Sequence, residues 1–255
     1  MRLISFDLKA DFAFFRKPDT NATINLSYNI IHRPAVLGIL GAIVGLEGYK
    51  EKGKMPQYYD VLKDVRIGIE PLNHDKGNYT KTNIKYSNTV GYANKGTNFL
   101  TEELTLVNPE YRIYLLLDET EDNQKQLAEN LKKGCAEFIP YLGKNEFTAW
   151  WSADSYKEYQ FTDEKQPNES IKIKTIFQKD YVLRNNVDAP FPDLLNFDHT
   201  ESPFIYFERL PRDFDLTLMQ YDLSEFAFSN YQIKNAQTLK NLYFVDELNA
   251  YIQLL

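Results

Sequence analysis

One cysteine in 255 residues, Cys135, leaves nothing for an internal disulfide scaffold and fits a reducing compartment. The three histidines, at positions 32, 74 and 199, do not join it in any metal-ligand spacing. The apolar run Ala35–Leu46 has 12 residues, too short to cross a bilayer, and no signal-like stretch precedes it. A cytoplasmic protein without membrane contact is expected. Motifs for bound cofactors are missing too. Gly38-x-x-Gly41-x-x-x-Gly45 departs from the dinucleotide pattern, and no Gly-Lys-Ser/Thr element, His-Glu-x-x-His or paired cysteine occurs. Neither a cofactor nor a metal is expected.

Cations are in the minority, with a net charge of −7 that by itself argues against a polyanionic partner. Their distribution argues otherwise. Residues 1–100 carry 14 Lys/Arg against 9 Asp/Glu, whereas residues 101–255 carry 15 against 27. A basic working face on the first part is implied, with the acidic remainder limiting non-specific binding.

The stretch from Tyr28 to Gly48 organises the chain. It predicts a short helix opened by Pro34 and closed around Leu46–Gly48. Large apolar residues surround a seam of small ones at Ala35, Gly38, Ala42 and Gly45, so a tightly packed core helix is the plain expectation. Each interior glycine costs about 1 kcal/mol relative to alanine. Close approach of the helix to its sheet along the seam is the expected compensation. Gly38, Gly41 and Gly45 therefore stay off the candidate site.

Alternation predicts strands at Leu3–Leu8, Val65–Leu72 and Tyr111–Asp118, and a fourth near Phe147–Ser152. A polar loop from Lys9 to Asn25, with a turn cluster at 19–23, follows the first. A second helix begins at Thr120 and ends at Lys132, Lys133 and Gly134, the charge order that the helix dipole favours. The order strand, helix, strand, strand, helix, strand is that of an α+β, ferredoxin-like or RRM-type half, assigned to residues 1–155. Residues 156–255 are expected to form a β-rich part packed on it, with strands at Ile171–Phe177, Asp215–Met219, Ser224–Phe228 and Asn241–Val245.

Between the second and third strands, residues 73–110 are far longer than a hairpin turn. Lys76, Lys81, Lys85 and Lys95 alternate there with Tyr79, Tyr86, Tyr92 and Phe99. Long insertions in compact domains are usually functional or disordered. A basic, aromatic arm suits stacking on bases and holding phosphates. Together with Phe15, Arg16, Lys17, Tyr28, His32 and Arg33 it forms the candidate RNA-binding surface. Metal-independent RNA cleavage requires a base, an acid and a cation. His32, His74, Tyr28 and several lysines are of the right type, yet no spacing picks them out, so no catalytic residue is assigned.

The run Phe14-Phe15-Arg16-Lys17-Pro18, then Ser27-Tyr28, then Pro34 to Gly45, resembles the N-terminal signature of the CRISPR-associated Cas-five family of the RAMP superfamily. Tyr141-Leu142-Gly143-Lys144-Asn145-Glu146-Phe147 is similar to that family's second motif, especially in subtype I-B. The resemblance implies an RRM-type fold whose long hairpin, the thumb, corresponds to residues 73–110. It also implies a subunit of a type I Cascade ribonucleoprotein complex, active in antiviral defence. Such a subunit would hold and cap the 5′ handle of the crRNA, touch the backbone and large subunits, and meet target DNA only through the complex. Handle contacts would fall on Arg16, Lys17, Ser27, Tyr28 and Arg33, with Lys144 and Asn145 added by the second motif. A precursor-processing ribonuclease and a protein-interaction module without RNA contact are the alternatives.

Overall fold

Alternating apolar residues begin the chain as β1 (Arg2–Lys9), followed by short strands β2 (Phe12–Ala13), β3 (Phe15–Arg16) and β4 (Ile24–Tyr28). Helices α1 (Arg33–Val44) and α2 (Gln57–Leu62) lead to β5 (Arg66–Leu72), β6 (Lys81–Ser87), β7 (Leu100–Val107), β8 (Glu110–Leu117) and α3 (Asp122–Lys133). The remainder is β9 (Lys157–Tyr159), β10 (Phe161–Thr162), β11 (Phe177–Gln178), β12 (Phe191–Phe197), β13 (Ile205–Asp215), β14 (Gln220–Ser229), β15 (Tyr231–Lys234), β16 (Leu242–Val245) and β17 (Ala250–Gln253). This computed structural model describes residues 1–18, 23–87, 100–163, 170–179 and 190–255. The chain is mixed α+β, rich in strands and poor in helices.

The central sheet has the order β5-β8-β1-β9, with every neighbouring pair antiparallel. One face carries Ile4, Phe6, Leu8, Ile67, Ile69, Ile113 and Leu115 against Val36, Leu37, Leu40 and Ile43 of α1 and Leu127 and Leu131 of α3. Burying each such side chain contributes about 1.5–3 kcal/mol, so this layer dominates the fold. α3 ends as expected, with Lys132 and Lys133 in its last turn and Gly134 left-handed at the C-cap. α1 stops before the expected Leu46–Gly48: Gly45, counted as an interior glycine of the seam, takes the left-handed C-cap conformation.

The other face is covered as well. Leu3, Tyr114 and Leu116 pack on Tyr243, Val245, Ile252 and Leu254 of the C-terminal part. Even Ser5 is buried, its hydroxyl 3.0 Å from that of Tyr159. The alternation in β1 therefore marks two buried faces rather than one wet face, because hydroxyls that find partners can sit inside.

Several expectations need correction. Residues 147–152 form only isolated bridges, Lys9 with Trp150 and Tyr141 with Thr148, and the strand beside β1 is β9. The loop after β1 contains β2 and β3; positions 19–22 of its turn cluster lie outside the described residues. Of the strand expected at Asp215–Met219, Asp215 ends β13 and residues 216–219 are the turn of the long β13/β14 hairpin. Ile171 and Ile173 make single bridges, to Ile233 and Tyr251, with only Phe177–Gln178 as a strand nearby. The insertion folds back as an antiparallel pair, β6 with β7, from Lys81↔Leu106 to Ser87↔Leu100. Its tip, with Tyr92, Lys95 and Phe99, lies outside the described residues.

The glycines of α1 do not face the sheet. Val36, Leu37, Leu40 and Ile43 do, whereas Ala35, Gly38, Ala42 and Gly45 are half-exposed on the opposite side. Gly41 is the close approach: a Cβ there would lie 2.4 Å from the Cβ of Tyr58 on α2. Helix contacts helix at this point, and the seam looks outward.

Candidate functional site

That outward seam is the floor of an open cleft of about 700 Å³. Ala35, Gly38 and Ala42 lie beneath it, and Tyr49 and Tyr58 form one wall. The opposite wall is Phe15, Tyr141, Gly143 and Lys144, with Phe214 and Tyr221 of the β13/β14 hairpin at one end. Arg16 stands at the margin, exposed and without an ion pair among the described residues. Small floor residues let a flat ligand approach the helix backbone, and aromatic walls offer stacking surfaces.

The first and second motifs meet along one wall. Phe14 N–H donates to Leu142 O at 3.1 Å, and the Lys144 ammonium lies 5.9 Å from the Phe14 ring centroid and 4.0 Å from that of Tyr86. Lys144 also pairs with Glu146 of its own loop at 3.2 Å and with Glu103 on β7 at 2.8 Å, so that Glu103 and Tyr86 tie the loop to both strands of the hairpin. Partial burial works against its charge, but the bonds to Glu103, Tyr86 and Glu146 outweigh this and raise its pKa. Asn145 beside it is exposed.

Five of the residues that the sequence placed on the RNA surface, all from the stretch before or at the start of α1, are inside the protein. Phe15, Ser27, Tyr28, His32 and Arg33 are all buried. Phe15 and Ser27 are locked together, the Phe15 N–H donating to Ser27 Oγ at 2.9 Å while that hydroxyl donates to Tyr28 O at 2.7 Å. His32 caps α1, accepting from Ala35 N at 3.2 Å through Nδ1, among the rings of Phe15, Tyr28 and Tyr221. Burial lowers its pKa to about 3, so the imidazole is neutral at physiological pH. Arg33 runs inward to Val65 O at 3.3 Å and Asp213 at 3.4 Å, with a further bond to Lys63 O. Burial lowers its pKa and Asp213 opposes the shift. These five support the cleft rather than present themselves to a ligand.

The lysines divide. Lys17 is half-buried, pairs with Glu208 at 2.9 Å and lies 5.1 Å from the centroid of the Tyr28 ring. Lys81 donates to Asn29 Oδ1 at 2.8 Å; its pKa is lowered by burial, against the attraction of Glu208. Lys85 is exposed on the hairpin and pairs with Glu102 at 3.1 Å, beside the half-buried Tyr86. Lys95 is outside the described residues. Arg16, Lys85, Lys144 and Asn145 are thus the members of the expected set that reach solvent at or near the cleft.

Sequence reasoning missed the centre that holds this arrangement. Glu208, buried on β13, accepts from the backbone N–H groups of Asn29 at 3.0 Å and Ile30 at 3.1 Å, besides holding Lys17. The Asn29 side chain in turn donates to Gly77 O and accepts from Tyr79 N and Lys81. One carboxylate from the C-terminal part therefore fixes the turn between β4 and α1 and neutralises a nearby ammonium. An acidic residue in Phe-Glu-Arg-Leu-Pro carries no sequence signal of that role. Pattern reading reached Lys17 and Lys81 but neither Glu208 nor Asn29, which hold them.

Among the described residues, no group of three or more His, Cys, Asp or Glu could hold a metal ion, and no helix is long and apolar enough to cross a membrane.

No protein-family model and no curated protein sequence matches the chain. Solved structures with a similar chain path include one described as a CRISPR RNA-guided surveillance complex, 13% identical, covering 90% of this chain and 91% of its own, at a TM-score of 0.49. A type III-B Cmr-beta structure bound to cognate target RNA and AMPPnP is 12% identical over 92% and 86%, at 0.46. A CRISPR protein from Archaeoglobus fulgidus is 12% identical over 99% and 98%, at 0.43. These are likenesses of chain path and assign neither family nor function.

Proposed function

We propose that this protein is a non-catalytic RNA-binding subunit of a type I CRISPR Cascade complex, of subtype I-B, that holds the 5′ handle of crRNA. The observation that carries the reading is the cleft above the small-residue face of α1, where the first and second motifs meet with Arg16 at the margin. Such a site takes splayed single-stranded RNA, with bases on the aromatic walls and phosphates toward Arg16, Lys144 and Lys85. The sheet order β5-β8-β1-β9 with α1 and α3 on one face supports a ferredoxin-like half, and the β6/β7 pair supports a thumb. Backbone and large subunits of the complex are the protein partners, with target DNA met through the complex in the cytoplasm. The absence of a catalytic role is supported by His32, which is buried, neutral and engaged in capping α1.

Fluorescence anisotropy with a repeat-derived handle RNA tests the reading. Arg16→Ala combined with Lys144→Ala should weaken binding and flatten the salt dependence by about 0.7 in log–log slope for each phosphate no longer neutralised. Undiminished crRNA retention in complexes purified with the double variant would overturn it.

A further inference from the structure

A smaller cavity, of about 180 Å³, lies away from the cleft where the end of β5 meets the C-terminal part. Its chemistry is set by a short extended segment. Ile171 and Ile173 are buried and bridged to Ile233 and Tyr251, so alternation turns Lys172 and Lys174 to the other side, where both line the cavity. His74 joins them from the turn after β5. It is held edge-on by Phe204 and Phe228, and Gly77 N–H donates to its Nδ1 at 3.1 Å. That bond leaves the Nε2 side of a neutral ring as its donor.

We propose that this cavity is a binding site for a phosphoryl group, held by Lys172, Lys174 and His74. Each lysine is steadied by one carboxylate, Lys172 by Asp198 and Lys174 by Glu70 at 3.8 Å. The two pairs are unequal. Asp198 also accepts from Thr200, through N–H at 3.1 Å and the hydroxyl at 2.7 Å, and these bonds with Lys172 keep it ionised. Glu70 is buried and accepts from Tyr114 at 2.6 Å, and it lies beyond hydrogen-bond distance of Lys174, whereas Asp198 is bonded directly to Lys172. Lys174 is the more loosely paired cation of the two. Three donors, two from one extended segment and one from the turn after β5, suit the oxygens of a tetrahedral anion better than the paired oxygens of a planar carboxylate. Glu201, exposed and also lining the cavity, disfavours an extended polyanion there, so a single phosphoryl group is the fitting occupant.

Titration of the whole protein with inorganic phosphate, followed by the His74 imidazole NMR signals and by calorimetry, tests the site. Saturable binding that shifts His74, weakened about tenfold or more by Lys174→Met and abolished by Lys174→Glu at unchanged melting temperature, is the expected result. Absence of a His74 shift in the wild type, or equal affinity in Lys174→Met, overturns the proposal. A second arm separates the sources. If the phosphoryl group comes from an RNA backbone, Lys174→Met also weakens handle RNA and lowers its salt slope; if it comes from free phosphate, RNA affinity is unchanged. Because the phosphate arm needs no RNA, its failure is distinguishable from failure of the RNA reading.

Discussion

A Cβ on Gly143 would sit 2.0 Å from the carbonyl oxygen of Phe14. Gly143 also has φ +86°, where a side chain is strained whatever space surrounds it. Gly143→Ala should therefore destabilise the protein by about 1–3 kcal/mol and part the second motif from the first. Urea unfolding gives the energy. Faster hydrogen exchange at Phe14 N–H, whose acceptor is Leu142 O, reports the separation.

Glu208 should be the most sensitive carboxylate near the cleft. Glu208→Ala leaves two buried N–H groups without their acceptor and takes a carboxylate from the half-buried Lys17, for a loss of about 3–5 kcal/mol. Glu208→Gln keeps an acceptor oxygen and should lose about 1–3 kcal/mol. Equal denaturation midpoints for wild type and both variants would refute this role.

Acid should unfold the protein partly through His32. Its pKa falls from 6.5 in the unfolded chain to about 3 when folded. Between those values the unfolded state binds the extra proton, so stability is full above pH 6.5 and declines as pH falls. The loss should reach about 2 kcal/mol by pH 5. His32→Asn, which retains a capping side chain, should remove this component from urea midpoints measured across the range.

Gly41→Ala should destabilise by about 1–3 kcal/mol through overpacking of α1 on α2. The clash is with the Tyr58 Cβ at 2.4 Å, so Tyr58→Ala should fail to rescue it, whereas a clash with the ring alone would be relieved. A thermodynamic cycle of the two substitutions distinguishes these outcomes.

Arg16→Ala is the converse case. The side chain is exposed and unpaired among the described residues, so stability should change by less than about 0.5 kcal/mol while handle-RNA affinity drops. A large fall in melting temperature would place Arg16 with the scaffold.

By itself the sequence determined the local elements and their ends. Apolar alternation located β1, β5 and β8 to within a residue or two, and Lys132, Lys133 and Gly134 closed α3 as helix-terminus physics requires, whereas α1 ended at Gly45, ahead of the expected stop. It also brought out both stretches that meet along one wall of the cleft, Phe14–Lys17 and Tyr141–Phe147. Exposure was another matter. Tyr28, His32 and Arg33 have the residue types of an RNA surface, yet Glu208, Asp213 and Tyr221, nearly two hundred residues along the chain, cover and pair them. The same C-terminal part buries Ser5 and the second face of the sheet. Periodicity reports which side of an element is apolar. Only the tertiary structure decided which polar groups were paired and which way the α1 seam faced, because those depend on partners distant in sequence.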